Sequence, residues 1–217
     1  MRKEKNMEIV RRRPKKLGVD AGADFGERQK LVLESAARLI AESGYAHTTI
    51  GDIADDMGIS KPVIYHYFSN KDALIRGIFE EGDRVCASGW ADIEVDDAPG
   101  LEKLHRLFLV QAEFAITDFG RCMINTGYPL LSAETREYKS LANKDLTKEL
   151  VRLINQGKPD GSIRNCDSKI LADNITAIVS QLGRRYDSSF RGLSRYLDET
   201  WSNLYVVRTF RTLGRLI

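Results

Sequence analysis

Thr48 to Lys71 constrain this chain of 217 residues more than any other stretch: Thr-Thr-Ile-Gly-Asp-Ile-Ala-Asp-Asp-Met-Gly-Ile-Ser-Lys-Pro-Val-Ile-Tyr-His-Tyr-Phe-Ser-Asn-Lys. Thr49 and Asp52 have the spacing of a capping box, and the helix dipole favours a carboxylate at Asp52. Ile53, Ala54 and Met57 recur at helical spacing and predict a buried face, and Gly58 predicts a left-handed stop. Ile59 reads as a buried turn residue, Ser60 as the next N-cap and Lys61 as the opening of a second helix. Pro62 is tolerated there because its missing donor is unpaired in a first turn anyway. Ser69 or Asn70 caps a further helix from Lys71. The segment between, Ser60 to Phe68, is barely two turns long and depends on its neighbours for stability. It carries a cation, two tyrosines and a histidine, with little apolar bulk. Two short helices at a steep angle, the second presenting polar and aromatic side chains, have the layout of a helix-turn-helix DNA reader.

Around these residues the sequence resembles the DNA-binding domain of the tetracycline-repressor (TetR) family, from about Glu27 to Glu81. The resemblance covers the first-helix stripe Ala36-Ala37-x-Leu39-Ile40-Ala41-Glu42-x-Gly44-Tyr45, then Thr48-Thr49, Ile53-Ala54 and Gly58-Ile59-Ser60. It continues through Tyr65-His66-Tyr67-Phe68-x-Asn70-Lys71-x-Ala73-Leu74. It implies that Thr49 bonds a phosphate through its hydroxyl or amide. It also implies that Lys61, Pro62, Val63 and His66 face the major groove, and Ser60 is expected among the DNA-binding residues with them. Tyr65 and Tyr67 would contact phosphates or sugars, and Lys71 would anchor a phosphate. Ile64 and Phe68 read as core, and Thr48 is the weaker contact of the two threonines. Base edges demand donors, acceptors or methyl-complementary surface, and phosphates demand cations and hydroxyls, so the residue types agree.

The charge distribution adds a complication. Residues 27 to 82 hold six Lys/Arg against nine Asp/Glu, whereas residues 1 to 16 hold eight Lys/Arg against two Glu. DNA affinity depends on cations near phosphates. The expectation is therefore a basic arm (1–26) that lies along the DNA, a reader (27–82) and a larger effector-binding and dimerisation body (83–217). The arm lacks the apolar core of a signal peptide. No apolar run approaches the ~18 residues of a membrane span, so a soluble protein without a membrane partner is expected. Cys86, Cys122 and Cys166 are odd in number and widely spaced, which suits neither a disulfide framework nor a zinc site and fits a reducing cytoplasm.

Beyond Leu74 the pattern is helical almost throughout, giving an all-α expectation of about nine helices. A linking helix from residue 71 ends near Gly89-Trp90, and Asp92 to Gly100 reads as a loop. Leu101, Leu104, Leu107 and Phe108 mark the next helix, which Gly120 interrupts, with a short helix from Arg121 to Thr126. Ser132 caps a long helix ending at Gly157, Asp167 caps another, and a last helix spans about 193 to 213. By resemblance these last two helices pair with a symmetry mate, and a reader of DNA half-sites generally needs a dimer. The predicted interface is 168–186 with 193–213.

An effector pocket is expected among the middle helices, walled by Trp90, Phe108, Phe114, Phe119, Met123, Tyr128 and Tyr138, with Arg121 and Asn125 as polar groups. The resemblance implies a ligand-responsive repressor, bound to a palindromic operator as a dimer and released by a small lipophilic or aromatic effector. A rival reading is a thiol-based redox sensor using Cys86, Cys122 or Cys166. Catalysis is not expected: His47, His66 and His105 are scattered. Neither a nucleophile elbow nor a phosphate-cradling loop nor metal-ligand spacing appears, and no cofactor is implied.

Overall fold

The structure, a computed structural model, describes residues 25–94 and 97–204. Its regular elements among these residues are helices: α1 (Phe25–Ser43), α2 (Ile50–Met57), α3 (Lys61–Tyr67), α4 (Lys71–Glu94), α5 (Gly100–Ala115), α6 (Asp118–Asn125), a 3-10 turn (Tyr128–Leu130), α7 (Ala133–Gly157), α8 (Ser168–Arg185) and α9 (Leu193–Asn203). The basic residues 1 to 16 and the distal part of the expected last helix lie outside the described residues.

The caps explain the boundaries of the reader. Thr49 Oγ1 accepts from the Asp52 amide at 3.1 Å, and Asp52 accepts in return from the Thr49 amide at 2.7 Å. Gly58 closes α2 at φ 66°, a left-handed conformation that Gly adopts without a Cβ clash. Asn70 Oδ1 accepts from the Ala73 amide at 2.8 Å and so caps α4. Ser60 holds the N-cap position of α3, but its side chain makes no capping bond, so its hydroxyl stays outward.

Two apolar cores form. The first joins α1, α2, α3 and the start of α4 through Val32, Ala36, Ile40, Ile53, Ile64, Leu74, Ile78 and Phe79. Cys122 of α6 and Leu131 belong to this core as well. The second joins α5, α7, α8 and α9 through Leu104, Phe108, Leu150, Leu153, Ile175 and Trp201. Hydrophobic burial of this kind contributes about 25 cal/mol per Å2 of apolar surface, and the two cores share α4 as a common strut.

Three boundaries differ from expectation. α4 continues past Trp90 to Glu94. The break after α5 falls at Ile116–Thr117, where the Thr117 hydroxyl accepts from the Gly120 amide at 3.1 Å. Gly120 therefore sits inside α6 and does not interrupt a helix. A Cβ on it would lie 2.1 Å from the Phe114 carbonyl oxygen, so its role is to let α6 pass close to the end of α5. The third difference is at the amino end: α1 begins at Phe25, two residues before the expected start of the reader.

Candidate DNA interface and ligand cavity

α3 buries Ile64 alone among its seven residues, inserting it into the first core. The rest is an outward face: Val63 is 40% and Tyr65 51% exposed, and Lys61, Pro62 and His66 are exposed beside them. Tyr67 is partly covered, because its ring packs on Phe25 at a centroid distance of 4.9 Å. His66 also faces Phe25, edge-on at 5.7 Å. Phe25 thus props α3 and fixes the end of the 1–26 segment against it. A lone aromatic ahead of the family-like stretch carried no pattern that would have marked it.

Several carboxylates that made the reader acidic are engaged internally. Asp56 accepts from Ser35 Oγ at 2.7 Å and from Arg38. Burial pushes its carboxyl up, but these two donors outweigh that and hold it below the ordinary carboxylate range. Glu81 meets Arg84 and Lys30. Asp52 is committed to the capping box, where the backbone and hydroxyl of Thr49 hold its carboxyl low.

That box alters the expected role of Thr49. Its amide and its hydroxyl both donate to Asp52 Oδ2, at 2.7 and 2.8 Å. The two donors expected for a phosphate are thus occupied, and Thr49 acts first as the residue that shapes the start of α2. Lys71 is likewise engaged: its ammonium donates to the Tyr45 carbonyl and lies 4.1 Å from the Tyr45 ring centroid. Burial lowers its pKa, which Asp52 partly offsets. An ammonium has three donors, so this contact leaves others for a phosphate. Thr48 is buried, with its hydroxyl donated to the Gly44 carbonyl at 3.0 Å.

A cavity of about 800 Å3 opens between α4, α5, α6, α7 and α8. Of the expected wall residues, Trp90, Phe114, Met123, Tyr128 and Tyr138 line it. Four others do not. Phe108 is fully buried in the second core and stacks on Trp201 at 5.3 Å. Phe119 packs against the first core. Arg121 reaches back to α1, where it donates to the Ala41 carbonyl at 3.4 Å. Asn125 is exposed at the end of α6. For Phe119 and Arg121 the reason is shared: α6 uses one face for the cavity and the other for α1, and residue type does not reveal which face a position falls on.

The cavity's polar groups come instead from α4, α5, α7 and α8. Asp83 is buried enough that its carboxyl is pushed up, with the Tyr138 hydroxyl donating to it at 2.7 Å. Gln111 donates to Cys86 Sγ at 3.2 Å. Trp90 Nε1 is buried without a partner. Lys139 donates to the carbonyls of Met123 at 2.7 Å and Thr126 at 2.5 Å, and burial drives its pKa down to about 8. Sequence reading overlooked Lys139, since a lysine in a long polar helix gives no sign of facing inward.

Burial pushes the Cys86 and Cys122 thiols up to about 12. A reactive sensor thiol needs the opposite shift, so the redox reading loses both of these candidates. Cys122 is also completely buried, and the cation next to it in sequence, Arg121, is turned toward α1.

Residues 32–78 match the family described as bacterial regulatory proteins, tetR family. The HTH-type transcriptional repressor KstR2 of Mycobacterium tuberculosis H37Rv is 32% identical over 143 residues, covering 63% of this chain and 70% of that protein. The solved structure of the ketosteroid transcriptional regulator KstR2 of M. tuberculosis superposes with a TM-score of 0.73 at 25% identity, over 82% of this chain and 92% of that one. AibR, solved with isovaleryl coenzyme A and operator DNA, shares the fold with a TM-score of 0.73 at 23% identity, over 83% and 99%.

The chain belongs to the TetR family and is a DNA-binding transcriptional regulator. No helix among the described residues is long and apolar enough to cross a membrane.

Proposed function

We propose that the protein is a dimeric, ligand-responsive repressor acting in the cytoplasm. It binds a palindromic operator through α2 and α3 and is released when a small lipophilic or aromatic effector fills the cavity. No catalysis is involved. The reading divides the chain into an arm (1–26), a reader (27–82) and a body (83–217). The observation that carries it is the double role of α6: Met123 and Ile124 line the cavity, while Arg121 and Phe119 pack toward the reader. A ligand that favours one placement of α6 then favours one placement of α1, and its differential affinity sets the shift in DNA binding.

On DNA, Lys61, Pro62, Val63 and His66 read base edges, Ser60 and Tyr65 reach the backbone with their free hydroxyls, and Tyr67 and Lys71 support phosphate contacts. Thr49 holds α2 in register for them. Repression and operator binding are the properties named for KstR2 and AibR. Dimerisation through 168–186 and the last helix is supported by the 61% exposure of Ile170 and by Ile178, which stays partly open on α8. The test is affinity for a mixed-sequence duplex over a range of salt. Measurable, salt-dependent binding is expected, and Lys71→Ala should lower the log–log slope by ~0.9. Absence of binding, or an unchanged slope, contradicts the interface.

A further inference from the structure

Lys139 is a largely buried cation in a ligand cavity with no anion to meet it. Its ammonium lies between two rings that line the same space, 5.1 Å from the Tyr128 centroid and 5.3 Å from that of Phe79. No ion pair joins it to any carboxylate among the described residues, and the neighbouring charge on α8 is a second cation, Arg184, at the exposed rim. The two carboxylates on the wall are engaged elsewhere: Asp83 by the Tyr138 hydroxyl and Asp145 by Lys148 at 2.8 Å. Carbonyls and aromatic faces compensate an ammonium in part, but a buried charge without a counter-ion is costly to keep.

We infer that the effector is an organic acid, an apolar body with one anionic group that pairs with Lys139 and is flanked by Arg184. This rests on the ligand-responsive reading above and names the chemistry of that site. The geometry also gives the anion a route to the reader. The carbonyls that Lys139 holds, Met123 and Thr126, are at the C-terminal end of α6, where a cation complements the helix dipole. An anion that draws the ammonium away competes with that cap, and α6 is the helix packed on α1.

Calorimetry on the full-length protein at pH 7 tests the inference with matched pairs. These are decanoate against decanamide, 1-naphthoate against 1-naphthamide, and decyl phosphate against decanol. At least one acid should bind tenfold or more tightly than its neutral partner, and the pair showing this distinguishes a carboxylate from a phosphate. Lys139→Met should reduce that ratio below twofold, and Arg184→Gln, at an exposed position, should reduce it by a smaller factor. Should Lys139→Met fail to fold, the wild-type ratio and Arg184→Gln decide. Neutral members binding as well as acids overturn the inference while leaving a ligand-responsive regulator standing. A ratio that survives either substitution, or no binding by any acid, also overturns it.

Discussion

The carboxylate of Asp72 accepts the hydroxyl of Ser132 at 2.6 Å and the Ser132 amide at 3.0 Å, joining the first turn of α4 to the first turn of α7. The Thr135 hydroxyl adds a third bond at 2.8 Å. The helix that leaves the reader is thus fastened to the helix that walls the cavity, next to the point where the recognition helix ends.

This fastening predicts an acid-sensitive stability term. Burial pushes the Asp72 carboxyl up, but hydrogen bonds from Ser132 and Thr135 outweigh it, so its pKa is lower folded than unfolded. The stability it contributes is therefore present above the ordinary carboxylate range and lost as pH falls through the depressed folded value. Asp72→Ala should cost about 1 kcal/mol at neutral pH, discounted for partial exposure. Thermal melts of the two proteins should converge in acid. A gap that persists there would mean that the loss is not electrostatic.

Lys139 predicts the opposite limb of the pH scale. Its folded pKa is about 8 against an ordinary lysine value of 10.5, so at neutral pH the charge burdens the folded state. That burden disappears as pH rises from about 8 through the unfolded value. Lys139→Met should therefore be relatively more stable than wild type at pH 7, with the difference shrinking toward pH 10.5. Groups facing the ammonium are Cys122 from α6, Arg184 from α8 and Tyr128 from the 3-10 turn. A difference that does not vary with pH would show that Lys139 is solvated in solution.

The capping box at Thr49 predicts a reader-specific defect. Thr49→Ala removes the acceptor for the Asp52 amide and should lower stability by about 1 kcal/mol. Because α2 is the platform for α3, duplex affinity should fall more than the change in folded fraction explains. Equal affinity at a temperature where both proteins are folded would assign Thr49 to stability alone.

Phe25 places the end of the 1–26 segment against His66 and Tyr67. Lys16 is nine residues away and can lie up to roughly 30 Å from that point, within reach of neighbouring phosphates. Deleting residues 1 to 16 should therefore lower the salt dependence of duplex affinity, by ~0.9 in slope per lost contact. An unchanged slope would remove the arm from the interface.

The legible parts of this fold were those whose signals are local. Thr49 with Asp52, Gly58, Asn70, Ser132 and Asp167 mark helix ends through bonds spanning only a few residues, and each behaves as its spacing implies. Gly120 misled because a glycine needed for close helix packing reads the same as one that ends a helix. The cavity was legible as a region and not as a set of residues. Trp90, Phe114 and Tyr138 face it, whereas Phe108 and Phe119, of the same chemical type, fill cores instead. Lys139, and not Arg121, brings a cation to the cavity, because the fate of a long cationic side chain is decided by whichever carbonyls the neighbouring helix presents.

Selection of the full-length protein against random duplex DNA, with the stoichiometry of the selected site measured by light scattering, tests the regulator most directly. Two recognition helices related by a two-fold axis read half-sites centred about one helical turn apart, ~34–36 Å. We predict a roughly palindromic sequence with that spacing, bound by a multiple of two protomers and lost on joint substitution of Val63 and His66 by Ala. A non-palindromic site bound by a single protomer, or selection that survives the double substitution, would contradict it.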